Sequence, residues 1–464
     1  MQLLRTKPLE HFREASALKR CLHATDLILL GVGAIIGAGV FVLTGVAAAT
    51  KAGPAVVISY LLSGIACAFS AFSYAELSSS IGGSGSAYGY SYAGMGEIFA
   101  WFIGWSLILE YSIATATVAI GWSGYINSIF LSLGIHLPQS LITNPSHGGY
   151  INLPAVLIIT AITTLLCIGV RESAKVNNIV VFIKLIAIFV FIAVASMHIH
   201  PNYWLPFAPF GWTGIAHGAA IIFFAYIGFD AVSTAAEEAI DPQRDLPIGI
   251  IGSLLICTTL YITVAGLLTG IAHYETLDTA SPVSDALLAV GSHFAAAIVS
   301  AGAIAGLTTV MLVMFYGLTR VFFAMSRDRL LPPIFSTINP KTHTPMTIII
   351  VSGIVIALVS GLMPMHAVAE LVNIGTLCAF LMVSLGVIVL RRKHPELTRS
   401  YKVPFYPYTP LLGAGLCFYL MLNLSFGTWW RFLAWMTLGL IIYFSYSYFH
   451  SRLHVENLEQ KKSH

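Results

Sequence analysis

The feature that leaves this chain the fewest folds is a series of apolar stretches, each about as long as a bilayer is thick, running from one end to the other. They fall near residues 26–49, 54–80, 98–127, 153–170, 176–197, 213–238, 247–272, 293–324, 346–363, 367–390, 411–427 and 430–449. A helix crossing the hydrocarbon core takes about 20 residues. The expected architecture is therefore an all-α polytopic membrane protein with 12 transmembrane helices. A β-barrel needs alternating apolar and polar positions in strands of ~10 residues, and these unbroken runs do not alternate. Only 9% of the 464 residues are charged, where a soluble domain carries about a quarter. A soluble enzyme, a nucleic-acid binder and a disordered chain are excluded on that ground. The six cysteines are scattered with no metal-ligand spacing, so no metal is expected. The first 25 residues are polar and basic rather than signal-like, so the first span directs insertion.

Basic residues set the orientation. With twelve spans, 20 of the 23 Lys and Arg fall in the loops and tails of one side, two (Lys51 and Arg431) on the other, and one, Lys184, inside a span. Cytoplasmic loops carry the excess of Lys and Arg. Both termini are therefore expected in the cytoplasm, in a multi-pass protein of the cell (inner) membrane. The lipid bilayer is the partner this predicts.

Two spans carry interruptions at matching places. Span 1 has Gly37-Ala38-Gly39 near its middle, and span 6 has Gly228 and the charged Asp230 well inside its apolar run. Glycine weakens a helix by about 1 kcal/mol. Unwound backbone at membrane depth persists only inside protein or along a cavity. Amides freed at a half-helix N-terminus favour a carboxylate, and freed carbonyls favour a cation. Gly33-xxx-Gly37 is also a helix-packing pattern. Spans 1 and 6 stand five apart, however, and interrupted helices at matching places in two halves point to a transporter site near the midplane.

Several segments together resemble one family. GVGAIIGAGVFVLTG from Gly31 is similar to the first-helix motif of the amino acid–polyamine–organocation superfamily. FFAYIGFDAVSTAAEEAIDPQRDLPIGI from Phe223 resembles its sixth helix and following loop, and YGLTRVFFAMSRDRLLP from Tyr316 the end of its eighth. Within that superfamily the likeness is to the bacterial cationic amino acid transporter branch. The resemblance implies a LeuT-like five-plus-five inverted repeat with two extra C-terminal helices. Residues 26–197 are then the first repeat, 213–392 the second and 411–449 helices 11 and 12, between cytoplasmic segments 1–25 and 450–464. It implies import of amino acids coupled to protons, with no cofactor beyond the proton gradient; a monomer is one option, and the sequence does not set the oligomeric state. The substrate carboxylate is expected at Ile36, Gly37, Ala38 and Gly39, and the ammonium at the carbonyls of Phe224, Ala225 and Ile227. Ala38 departs from the family pattern, in which many relatives have Ser or Thr. Tyr226 and Phe229 are candidate gate or pocket-wall aromatics.

The charges left at depth are the remaining candidates. Lys184 stands about eight residues, hence ~12 Å, into span 5. That is too deep for its ammonium to reach the interface, and an unpaired charge there is costly. The resemblance implies that it meets a span-1 carbonyl near Ile35 and carries proton coupling. Asp230 is a second coupling candidate, with a structural role at the span-6 break as the other reading. Glu110, ~20 Å into span 3, fits either a substrate side-chain pocket or an acceptor for a broken helix. Met314 matches a pocket position, where a bulky flexible side chain favours small substrates. Glu76, Glu97, Glu237 and Glu238 are candidate gating partners of Arg244 or Arg171. His217 and His293, near span ends, read as solvated. The runner-up functions are an amino acid exchanger, a uniporter or a polyamine carrier. An intramembrane enzyme lacks any HExxH, facing Asp pair or Ser–His arrangement, and a channel lacks rings of like groups.

Overall fold

The computed structural model describes residues 5–7, 22–81, 87–132, 134–169, 174–234, 239–342, 344–399 and 401–454. Among these the chain is helical throughout, with one isolated bridge, Leu22 to Ala239, as its only extended pairing. Seven helices are long and apolar enough to cross a membrane by length and composition alone. Four shorter apolar helices, Ala24–Ile35, Leu153–Ile168, Met346–Leu362 and Tyr408–Leu422, lie where further spans are expected.

Two stretches break where the sequence interrupts them. Helix α1 (Ala24–Ile35) ends as Ile36 turns extended, at φ −72° and ψ 105°. The chain resumes with a wide π turn over Gly39–Leu43 and continues to Ala52. Helix α2 (Val56–Ile81) follows after Gly53-Pro54. In the second half, α3 (Gly211–Ile222) tightens into a 3-10 turn, Phe223–Tyr226, and Ile227 is again extended. The two breaks cross each other. A Cβ at Gly39 would overlap Ala225, and one at Gly228 would stand 2.8 Å from the carbonyl oxygen of Ala34. Gly228 also has φ +114°, which disfavours any residue with a side chain.

Around the crossing stand α4 (Glu97–Ser132), α5 (Ala174–Ser196), α6 (Pro242–Ile271), α7 (His293–Arg327) and α8 (Met365–Lys393). Helix α4 is 36 residues long, about 54 Å at 1.5 Å per residue, and packs against both α7 and α8. Of the last helices, α9 (Tyr408–Leu422) packs on α8 and α2, and α10 (Phe426–Ile442) packs on α8 and the flank of α4. There Trp105 stacks on Trp435 at 4.4 Å between ring centres, and each indole donates to the other's backbone carbonyl.

The turn between the last two helices differs from the sequence reading. The chain reverses at Asn423–Ser425, a few residues before the expected Gly427–Trp430 turn. Polar side chains decide it. Asn423 donates to the carbonyl of Tyr419, and Ser425 and Thr428 both donate to the Glu370 carboxylate on α8. Replacing Gly228 by Ala forces a side chain into a positive φ against the Ala34 carbonyl. The expected loss is about 1–3 kcal/mol, read as a lower unfolding temperature of the purified protein in detergent.

Candidate functional site

Breaking a helix strands carbonyls that water would otherwise solvate, and each must find a donor. Span 1 finds them on four helices. Lys184, 1% exposed on α5, donates to Gly33 O at 2.6 Å and to Ile36 O at 3.1 Å. Tyr261 on α6 donates to Ile35 O at 2.8 Å. Tyr60 on α2 reaches Gly39 O at 3.2 Å and lies 2.6 Å from the Thr44 hydroxyl, while Tyr125 on α4 donates to Phe41 O at 2.7 Å. The lysine therefore brackets Ile35 rather than meeting it, because the hydroxyl of Tyr261 already takes that carbonyl.

Apart from the Tyr60–Thr44 hydroxyl pair, every one of these bonds goes to a carbonyl. The amides of Gly37, Ala38 and Gly39 precede the first bonded turn of the continuing helix. Among the described residues none of the three donates to another backbone carbonyl. The first half of span 6 ends differently. Asn373 on α8, fully buried, donates to Ala220 O at 2.7 Å and Ile221 O at 2.8 Å. Beyond it, Phe224 O accepts from the Ile227 amide at 3.2 Å.

Between the two breaks lies a small cavity. It is lined by Ala34, Ile35, Gly37, Ala38 and Gly39 from span 1 and by Phe224 and Ile227 from span 6. Ala114 and Val118 of α4 and Val310 and Met314 of α7 complete it. Its free space is ≈ 10 Å³, room for about one water. An amino acid does not fit in that volume, so loading requires the walls to part. The side chains around it are apolar.

Of the residues expected at the site, the structure brings Gly37, Ala38, Gly39, Phe224, Ile227 and Met314 to this cavity. Ile36 serves as a carbonyl for Lys184, and Ala225 lies against Gly39. Glu110 is fully buried but not in the wall. Its carboxyl neighbours are Thr376 and Asp230, and no backbone amide among the described residues donates to it. Asp230 accepts from the Tyr111 hydroxyl at 3.4 Å, on the far side of the span-6 break. Tyr226 is also outside the wall. Its hydroxyl donates to Tyr60 O, and its ring packs edge-on to those of Tyr60 and Tyr261. Phe229 packs on Tyr74 and Phe380.

The end of the bundle carrying most of the basic residues is tied differently from the expected gating pairs. Glu76 takes a bidentate bond from Arg391, with Nε to Oε1 at 2.7 Å, and a third contact from Arg399 at 3.5 Å. The Val403 amide, on the same stretch as these two arginines, also donates to Glu76. Glu97 accepts from Tyr92, Tyr443 and Ser451. Arg171, Glu237 and Glu238 lie outside the described residues. Lys7 pairs with Asp328 at 2.8 Å, and Tyr88 donates to the same carboxylate.

Sequence reasoning missed Tyr60, Tyr125, Tyr261 and Asn373. A lone Asn in an apolar run was a visible signal. The tyrosines were not, because hydroxyls at span ends are common.

Two crossed, broken helices around a buried central cavity, in a bundle of apolar helices, define a membrane carrier. The chain belongs to the amino acid permease family of the amino acid–polyamine–organocation superfamily, whose model matches residues 22–444. It is a multi-pass transporter of amino acids and not an enzyme. It is 50% identical to the branched-chain amino acid permease BcaP of Bacillus subtilis, over 94% of this chain and 95% of that one. It is 48% identical to the methylthioribose transporter of the same organism, over 97% and 99%. A vacuolar cationic amino acid transporter 4 of Arabidopsis thaliana is 40% identical over 82% of this chain and 64% of the relative.

Tyr261→Phe leaves the buried Ile35 carbonyl without its donor. The expected cost is about 1–3 kcal/mol, read as a fall in unfolding temperature, with weaker substrate binding because the span-1 amides lose their fixed orientation.

Proposed function

We propose that this permease imports neutral amino acids with small or branched apolar side chains, driven by protons through alternating access. The observation that carries the reading is the cavity between the two breaks. Span 1 lines it with Gly37, Ala38 and Gly39, whose amides donate to no backbone carbonyl among the described residues, span 6 lines it with Phe224 and Ile227, and its side walls are apolar. A zwitterion satisfies both ends, with its carboxylate on the amides of Gly37, Ala38 and Gly39 and its ammonium on the carbonyls of Phe224, Ala225 and Ile227. A polyamine leaves the amides without a partner. Methylthioribose offers neither charge, although one relative is named for it.

Proton coupling falls to Lys184. Charged, it draws the Gly33 and Ile36 carbonyls onto α5 and holds the span-1 break. Neutral, it loosens that grip and lets the first half of span 1 swing. Asp230, beside the span-6 break, is the second coupling candidate. The matching breaks support a LeuT-like five-plus-five repeat with two added helices and twelve crossings. The distribution of Lys and Arg supports cytoplasmic termini, and the internal repeat supports a functional monomer.

A thermal-shift screen of the twenty amino acids, with methylthioribose and putrescine added, tests the substrate class. Stabilisation by valine, leucine, isoleucine or alanine is expected, and stabilisation by methylthioribose alone overturns the reading. In proteoliposomes, Lys184→Ala is expected to keep substrate binding within several fold but to lose accumulation driven by an inward proton gradient. Undiminished gradient-driven uptake refutes the coupling role.

Met314→Ser shortens the wall on α7. Longer side chains, methionine and arginine among them, should then compete at least tenfold better. An unchanged competition profile removes Met314 from selectivity.

A further inference from the structure

The span-6 break has a clamp of its own, and it matches the one on span 1. Lys184 on α5 puts one nitrogen on two carbonyls, Gly33 and Ile36, where the first half of span 1 ends. Asn373 on α8 puts one nitrogen on two carbonyls, Ala220 and Ile221, where the first half of span 6 ends. The amide NH2 carries two protons, so both are used. In the sequence reading α5 is span 5 and α8 is span 10, so each clamp stands on the span four places after the helix it holds.

The cost of keeping Asn373 says what it is for. The residue is fully buried, and its Oδ1 has no donor among the described residues. An unmet acceptor at this depth is destabilising, and an apolar residue of the same size would avoid it. The two donated bonds are thus the function of the side chain. Immediately after Ile221 the backbone tightens from α to 3-10 and presents Phe224 to the cavity. The same helix holds the far side of this turn, with Phe380 packed 5.6 Å from Phe223 and 4.9 Å from Phe229.

Resting on the amino acid reading above, we propose that Asn373 is a positioning residue for the ammonium end of the substrate site. By fixing Ala220 and Ile221, it sets where the carbonyls of Phe224, Ala225 and Ile227 point. It has no proton to lose, so the ammonium end is held while the carboxylate end answers to Lys184.

The test separates the two ends of the ligand. Three competitors are measured against the purified full-length protein: L-leucine, 4-methylvalerate, which lacks the ammonium, and leucinol, which lacks the carboxylate. Asn373→Leu removes both donors, and Asn373→Asp removes them at constant size. In either variant leucine and leucinol should weaken at least tenfold while 4-methylvalerate changes less than threefold. The ratio of uptake with and without a proton gradient should stay at the unaltered value, unlike that of Lys184→Ala. Equal weakening of all three ligands, or of none, overturns the proposal. If neither variant folds, Asn373→Thr keeps one hydroxyl donor. It should weaken leucine selectively by a smaller factor, and unchanged leucine competition there overturns the proposal equally. Failure of leucine to bind the unaltered protein refutes the amino acid reading itself, and this inference with it.

Discussion

A backbone carbonyl in a bilayer cannot turn to water, and that constraint organises this protein. Opening two helices inside an apolar helix bundle strands polar groups whose desolvation costs several kcal/mol each if they stay unmet. The fold answers with side chains drawn from distant helices. Lys184, Tyr60, Tyr125 and Tyr261 serve span 1, and Asn373 serves span 6. All are buried, and each bond spans a large separation in sequence. The breaks are therefore held by the tertiary structure and not by local propensity.

Side-chain donors meet the carbonyls of Gly33, Ile35, Ile36, Gly39 and Phe41. The amides of Gly37, Ala38 and Gly39 form a row that lines the cavity's span-1 side and donates to no backbone carbonyl among the described residues. The close crossing of Gly39 on Ala225 and of Gly228 on Ala34 brings that row within reach of the span-6 turn. A Cβ at either glycine would push the breaks apart, so the same residues that weaken the helices also permit their contact.

What the sequence made legible divides along the same line. Helices lie where the apolar runs predicted them, because a 20-residue apolar stretch has few alternatives. The breaks were legible because paired glycines in a spanning run are costly to keep. Lys184 was legible because a lone charge at depth needs a partner. Its partners are span-1 carbonyls near Ile35, as expected, at Gly33 and Ile36, while Tyr261 holds the Ile35 carbonyl itself. Tyr261 and Tyr125 were invisible among twenty tyrosines, because only the fold decides which hydroxyl faces a broken helix. The turn at Asn423–Ser425 was missed because its anchor, Glu370, sits on another helix. Glu76 meets Arg391 and Arg399, which follow it by more than three hundred residues and which nothing in the sequence singled out.

Glu110 carries the sharpest lesson about selectivity. A carboxylate deep in span 3 invites a cationic substrate, and cationic transporters are among the relatives. Yet the wall facing the cavity is made by Ala114 and Val118, one and two turns further along the same helix. Helical geometry puts residues four apart on one face, so Glu110 shares that face but stands a turn below the cavity, beside Thr376 and Asp230. Its carboxyl group lies among helix side chains and outside the cavity wall. The apolar wall there is made by a few side chains, among them Met314, Val310 and Val118. A methylene in such a pocket changes discrimination by only about 1–3 kcal/mol. Two relatives near half identity to this chain are named for different cargo, one for branched-chain amino acids and one for methylthioribose. The backbone cradle is fixed by many residues across the fold, and the wall by few.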